Sequence, residues 1–91
     1  MYSKLEVSGI TDTAAIIREF VGAKRRLNFE YIFDAKGQRY NGFLQYSPSN
    51  GMISIGDSFL IRYLPDDPDE INRLIENEDY SLIKVSIKSR Q

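Results

Sequence analysis

LNFEYIFD, residues 27–34, is the segment with the clearest structural pattern in this chain. Every second side chain in it is apolar, and three of the four are aromatic: Leu27, Phe29, Tyr31 and Phe33. Successive side chains of a β-strand point to opposite faces of the sheet, so this period of two predicts a half-buried strand. Without these rings the chain would have almost nothing to bury, so we expect them to form the core.

A chain reversal follows this strand. Asp34 suits the first position of a type I turn, and Gly37, at the fourth, accepts a positive φ without a steric clash. Residues 38–47 are therefore predicted to return as a second strand. One face of it carries Tyr40, Leu44 and Tyr46, and the other carries Phe43.

The pattern predicts further extended segments downstream. Turn-forming residues fill 47–51, and residues 52–55 then form a short strand or an extended link. A Gly-Asp break at 56–57 precedes an alternating strand over 59–64, which must end at Pro65 because proline has no N–H to donate to the ladder.

Residues 13–21 fit two patterns. Ala14, Ile17 and Phe20 would line one side of a helix, whereas Ala14 and Ile16 would share one side of a strand with Arg18 and Phe20. We favour the strand, because paired β-branched residues stand at 16–17 and because residues 22–24 would then close a hairpin onto the 27–34 strand.

The pattern changes after Pro65. With Asp67 as N-cap, Pro68 takes the first helical position and Glu70 completes a capping box, which predicts a short helix over about 68–76. Alternation resumes at 83–87 and predicts a last strand. We therefore expect one small domain, residues 1–91, with a helix–strand appendix at its C-terminal end.

The composition removes several classes of function. The 91 residues include no Cys and no His, so the chain has no thiol nucleophile, no histidine base and no zinc site of the usual kinds. The net charge is −1, whereas nucleic-acid binding domains usually carry an excess of cations. The longest apolar run, residues 14–17, is far shorter than the ~20 residues that cross a bilayer.

Several of these motifs together resemble a known pattern. The residues that carry it are Tyr31, Phe33, Gly37, Tyr40, Gly42, Gly56-Asp57 and the run from Tyr63 to Pro68. They resemble a bacterial family known as a domain of unknown function, with a Tyr-x-Phe and Gly-x-x-Tyr hairpin, a Gly-Asp turn and a Tyr-x-Pro-x-x-Pro strand end. The resemblance covers roughly residues 10–70. It implies a small all-β domain that often lies beside membrane helices, favours the strand at 13–21 and brings no catalytic residues.

Three sets of residues are candidates for chemistry or binding. Four carboxylates crowd the segment 66–70, but they lack the spacing of a calcium loop and are also explained by helix capping. Asp57 is the remaining acid worth considering for catalysis, and turn formation explains it equally well. The third set is a possible interface: Tyr40, Tyr46, Tyr63, Lys24, Arg25 and Arg26.

We therefore predict a mainly β protein, an antiparallel β-barrel or rolled sheet of five to six strands with one short helix near residues 68–76. We expect a non-enzymatic interaction or structural module without cofactor or metal, whose partner is another protein or a second copy of itself. The alternative is single-stranded nucleic-acid binding through the basic edge at 24–26. A cytoplasmic location is the default, and the resemblance adds a periplasmic or membrane-adjacent one.

Overall fold

The computed structural model describes residues 9–85 and shows five antiparallel strands in one curled sheet, a half-barrel. The strands are β1 (Ile10–Val21), β2 (Leu27–Ala35), β3 (Gln38–Gln45), β4 (Ser58–Tyr63) and β5 (Asn72–Leu74). Their order across the sheet is β3-β2-β1-β4-β5. The prediction of a mainly β, antiparallel, rolled sheet of five to six strands is confirmed.

The core fills the concave side of the sheet. The alternating side chains of residues 27–34 enter it as predicted, and Phe29, Tyr31 and Phe33 are each no more than 3% exposed. The ring of Phe33 lies 5.2 Å from that of Tyr63 on β4, measured between centroids. Burying a side chain of this size stabilises the fold by roughly 1.5–3 kcal/mol. The aromatic residues therefore join strands that are distant in the sequence.

Residues 13–21 form a strand, as the hairpin argument favoured. β1 pairs on one side with β2 and on the other with β4, so it is the central strand. Its register against β2 shifts between Ile16 and Arg18, which makes a β-bulge around Ile17. A bulge adds one residue to a strand and changes which side chains face the core.

The turn between β2 and β3 lies one residue later than predicted. The hairpin closes at Ala35 and Gln38, and its two loop residues are Lys36 with φ 53° and Gly37 with φ 76°. Two positive φ values define a type I′ turn, whose twist matches the twist of the flanking strands. The type I turn that we predicted over 34–37 would splay them, and so it is wrong.

The predicted helix over 68–76 is also wrong. Ile71 N–H donates to the Asp67 carbonyl, which makes one turn of helix-like geometry, and the chain then straightens into β5. Leu74 pairs with Ile61 and is 3% exposed. The open edge of β4 offers ladder hydrogen bonds and an apolar site for Leu74, and these outweigh a local capping signal.

A second short piece of chain continues along the edge of β4 beyond β5. Leu60 N–H donates to the Ile83 carbonyl at 2.9 Å, and Val85 N–H donates to the Ser58 carbonyl at 2.8 Å. Residues 76–82 loop out between the two pieces. The predicted strand over 83–87 is reduced here to single bridges at Leu82 and Lys84, and residues 86–88 lie outside the described residues. The predicted appendix is thus part of the sheet.

Candidate interaction surface

A group of aromatic and charged side chains lies on the convex side of β1, β2 and β3. We call it the convex patch, and its members are Arg18, Phe20, Glu30, Asn41 and Phe43. The rings of Phe20 and Phe43 meet edge to face with centroids 6.0 Å apart, and the Arg18 guanidinium carbon lies 4.4 Å from the Phe20 centroid. Phe43 remains 57% exposed. The patch thus presents a large apolar ring to solvent.

The bulge at Ile17 places the β1 part of the patch. Before it, Ile16 pairs with Tyr31 and shares its concave, buried face. After it, Arg18 pairs with Glu30 and Phe20 with Asn28, whose side chains are on the convex face. Sequence alternation alone had put residues 14, 16, 18 and 20 on one side. The inserted residue moves the last two to the other side.

Glu30 holds the patch together across three strands. Its carboxylate accepts a hydrogen bond from Asn41 Nδ2 on β3 at 2.7 Å and an ion-paired hydrogen bond from Arg18 Nε on β1 at 2.7 Å. These bonds, that from Asn41 first, hold the pKa of Glu30 below its usual value. The carboxylate therefore stays charged at neutral pH, and the side chains around Phe20 and Phe43 are fixed before any partner binds.

The outer edge of β3 borders the patch. Tyr46 N–H bonds the Leu27 carbonyl, and alternate residues of β3 from Gln38 to Leu44 follow the same pattern towards β2. The residues between them turn their backbone N–H and C=O groups away from β2: Arg39, Asn41, Phe43 and Gln45. Among residues 9–85 no backbone group bonds these outward-facing positions. We call them the β3 edge.

The predicted basic residues form the tip of the β1–β2 hairpin. Lys24 and Arg25 both have φ 58°, and the tip is closed by a hydrogen bond from Gly22 N–H to the Arg26 carbonyl at 2.7 Å. All three cations are exposed, and none forms an ion pair with a carboxylate of the described chain. They lie at the end of the same hairpin that carries Phe20.

The three predicted interface tyrosines lie on the concave side, away from the convex patch. Tyr63 is 5% exposed and belongs to the core, so its prediction as a surface residue is wrong. The Tyr40 ring stacks on Phe33 at 5.9 Å and is half-buried. Tyr46 is also half-buried and donates its hydroxyl hydrogen to the Gly51 carbonyl at 2.9 Å. The tyrosines at 40 and 46 therefore pack mainly within the fold and expose only their margins.

A shallow groove opens beside Tyr46 at one end of the concave face. Its cavity is about 310 Å³, and one residue of its wall, Met52, is 88% exposed. The residues that line it are Glu19, Leu27, Phe29, Tyr46, Met52 and Ile53. The groove is thus a second apolar surface, on the side opposite the convex patch.

The acidic residues that the sequence offered as candidates do not form a catalytic or metal-binding group in the described part of the chain. The Asp57 carboxylate accepts a hydrogen bond from Ser54 N–H at 2.9 Å and lies 3.4 Å from the Lys84 ammonium group. Gly56 beside it has φ 98°, as the turn interpretation requires. Across the described part of the chain no three acidic side chains converge on a point where a metal ion could be held, and this includes the segment 66–70.

Sequence reasoning missed Phe20 as a surface residue, and with it the convex patch. It had placed Phe43 on the face opposite Tyr40, which the structure confirms. The signal available for Phe20 was the pair Ile16-Ile17, where two apolar residues in succession interrupt the alternation that a half-buried strand requires.

Comparison with protein-family models, curated proteins and solved structures gives no match. The resemblance to the bacterial domain family therefore stays a prediction. Between residues 9 and 85 the chain has no helix with the length and apolar character needed to cross a membrane.

Proposed function

We propose that this protein acts by binding another protein chain, without catalysis, and that it docks through the convex patch. The observation that carries the proposal is the exposed Phe43 ring, held edge to face against Phe20 beside an arginine that is already ion-paired. Aromatic residues and arginine are enriched at the centres of protein interfaces, where fixed side chains lose little entropy on binding.

The polar members of the patch are bonded to one another before any partner binds. Both carboxylate oxygens of Glu30 already accept a hydrogen bond, one from Arg18 and one from Asn41. A partner that covers the patch therefore does not bury an unpaired carboxylate there. The amide of Asn41 and the guanidinium of Arg18 keep further N–H groups for a partner. Apolar area at the centre with satisfied charges around it favours docking to a protein surface of similar polarity.

The proposal of binding over catalysis is supported by the surroundings of the acids. Asp57, the acid that the sequence offered for catalysis, accepts a hydrogen bond from a backbone N–H, as turn residues commonly do. It also lies in ion-pair distance of Lys84. Burial raises the pKa of Tyr31 to about 12, but its hydroxyl is bonded to Asn72 inside the core and does not face a cleft. These contacts give each group a structural role.

A photo-cross-linking amino acid, p-benzoylphenylalanine, placed at Phe43 tests the proposal in cells that express the full chain. The matched control carries the same residue at Met52, which is more exposed but lies on the concave side. We expect protein adducts of defined mass from position 43 at several times the yield from position 52. Equal yields at the two positions would contradict docking through the convex patch.

Single-stranded nucleic-acid binding is the second candidate, and one specific observation favours it. The cationic tip at 24–26 lies on the hairpin that also carries Phe20 with Arg18 above its ring. Exposed rings next to cations are the groups on which single-stranded bases stack. The net charge of −1 opposes it.

Fluorescence anisotropy with labelled oligonucleotides at low salt separates this candidate from the first. If bases stack on the patch, the protein binds with an affinity that falls steeply as salt rises, and the Arg25→Glu variant binds more weakly. Unchanged anisotropy at protein concentrations of about 100 µM removes nucleic acid as the partner.

A further inference from the structure

The β3 edge is unusually well suited to pair with another strand. β3 is eight residues long and pairs with β2 without a register shift, so it contains no bulge. It contains no proline, and its one charged residue, Arg39, is ion-paired to Asp34 at 3.2 Å. Soluble proteins protect exposed edges with bulges, prolines, charged side chains or short length, and of these devices β3 has only the one charge of Arg39, near its first residue.

The opposite end of the sheet differs in this respect. β5, the other outer strand, has three residues and is followed by the loop at 76–82. A strand this short offers few hydrogen bonds to an added chain. Among the described strands the β3 edge is therefore the better template for pairing.

We propose that two copies of this chain join through the β3 edge, antiparallel, with the two-fold axis at Gly42. This inference rests on the proposed function and names its partner and its geometry. The outward-facing residues are placed symmetrically around position 42, so that Asn41 pairs with Phe43 of the second copy and Arg39 pairs with Gln45 of the second copy. Such pairing closes about eight backbone hydrogen bonds and continues the sheet across both chains.

The side chains near the proposed axis are compatible with the same side chains of a second copy. On the convex side each Phe43 lies next to a neutral Asn41, and the two Phe20–Phe43 pairs become one row of four rings. The two Arg39 side chains lie about 20 Å apart at a rise of ~3.4 Å per residue, beyond the Debye length at physiological ionic strength. No like charges face each other across the junction, which is what a two-fold contact requires.

On the concave side the proposed pairing brings apolar residues together. There Tyr40 lies opposite Leu44 of the second copy, and the two Gly42 residues meet at the axis. A side chain at Gly42 would come within 2.6 Å of the Tyr31 ring and 2.5 Å of Asn72 Oδ1. A Cβ at Gly42 points to the concave side, so Asn72 contacts Gly42 from that side, whereas the N–H and C=O groups that face away from β2 point along the sheet.

Sedimentation of the full chain from about 1 to 500 µM is the first measurement, because this range covers the micromolar dissociation constants of weak dimers. We expect a monomer–dimer equilibrium that the Phe43→Lys variant weakens at least about tenfold, because it sets two cations near the axis. Met52→Lys is the matched control and should leave the equilibrium unchanged. A strict monomer over the whole range overturns the dimer.

Spin labels then test the register. The chain has no cysteine, so Arg39→Cys and Gln45→Cys each give one attachment site. Both positions are three residues from Gly42, so the two labelled dimers should show equal Cα separations of about 20 Å. Unequal separations at the two positions overturn the axis at Gly42. Separations near 5 Å, as in a parallel pair, overturn it too, and so do separations that fit only a face-to-face dimer.

The outcomes separate this inference from the function on which it rests. A monomer that still forms cross-links from position 43 to a different protein overturns the dimer and leaves protein docking standing. A monomer without such cross-links overturns both.

Discussion

The β2–β3 hairpin and the C-terminal segment 64–85 belong to the same sheet, but they are specified in different ways. The hairpin has an unbroken ladder from Asn28–Gln45 to the two-residue turn at 36–37. The C-terminal segment makes one three-residue strand and isolated bridges, and its other hydrogen bonds come from loop backbone and from side chains. The local sequence pattern is therefore enough to specify the hairpin, whereas the conformation of the C-terminal segment depends on its contacts with β4 and the core.

Side-chain hydrogen bonds show how the C-terminal segment is held. Tyr31 donates to Asn72 Oδ1 at 2.6 Å, and Asn72 Nδ2 donates to the Pro68 carbonyl at 2.8 Å. Asn50, the buried polar residue of the loop after β3, donates from Nδ2 to the Tyr80 carbonyl at 2.9 Å. Amide side chains thus replace ladder hydrogen bonds where the chain is irregular.

The largest expected effect is at Gly42, where the two regions touch. A Cβ there would lie 2.6 Å from the rigid Tyr31 ring and 2.5 Å from Asn72 Oδ1. We expect Gly42→Ala to lower the free energy of unfolding by about 3 kcal/mol, the upper end for overpacking. Gly37→Ala is the control, because a Cβ at Gly37 meets nothing within 4 Å and only the positive φ is penalised. Urea unfolding of both variants measures the difference, and equal losses would show that the contact at Gly42 is harmless.

Alkaline pH should loosen the same contact. Burial raises the pKa of Tyr31 from 10.0 to about 12 in the folded protein. A raised folded pKa means that the stabilisation is complete below pH 10 and is lost as pH rises towards 12, at about 1.4 kcal/mol per pH unit. The measurement is urea unfolding between pH 9 and pH 12. The Tyr31→Phe variant lacks this group, so its stability should fall less steeply over this range, and parallel curves would contradict the prediction.

Asn72→Ala should affect mainly the C-terminal segment. It removes the acceptor of the Tyr31 hydroxyl and the donor to Pro68, at a cost of about 1–2 kcal/mol. Hydrogen exchange followed by NMR should show faster exchange at the β5 amides. The β2–β3 amides should change only as much as the lower free energy of global unfolding requires. Asn77→Ala is the control, because Asn77 is exposed and, among residues 9–85, its side chain bonds Ser81 alone. Uniform acceleration across the sheet would mean that the two regions are not separable.

The smallest effect is a gain in the hairpin. Lys36 has φ 53° at the first loop position of the type I′ turn, where asparagine is preferred. We expect Lys36→Asn to raise the free energy of unfolding by about 0.5–1 kcal/mol, measured by thermal unfolding. Lys36→Ala removes the same charge without this preference and should give no gain. A gain from both would assign the effect to charge.

The sequence predicts the β2–β3 hairpin better than it predicts the C-terminal segment. The alternating stretch 27–34 predicts its strand and the core, because period-two burial is a local property. The bulge at Ile17, and hence the side on which Phe20 lies, depends on how β1 meets both neighbours at once. The helix predicted over 68–76 failed because capping signals are worth about 1 kcal/mol, less than burying Leu74 and pairing β5 with β4.

The candidate surface was predictable only in part. Alternation placed Phe43 on the face opposite Tyr40, and the cations at 24–26 were predicted as a basic edge. The Glu30 network joins three strands, so its geometry required the register of all three. Tyr63 was misplaced because alternation identifies the two faces of a strand but not which one is covered.

The edge of β4 is closed by two separate stretches of backbone, Asn72–Leu74 and the residues around Lys84, and not by one continuous strand. Each stretch makes only a few hydrogen bonds to β4, and short segments with few hydrogen bonds are the parts of a sheet that open locally. Release of the second stretch uncovers the N–H of Leu60 and the carbonyl of Ser58, a gap that fits the same stretch from a neighbouring molecule. Such a replacement, in which two copies exchange the same short stretch of backbone, is the contact that a domain swap makes.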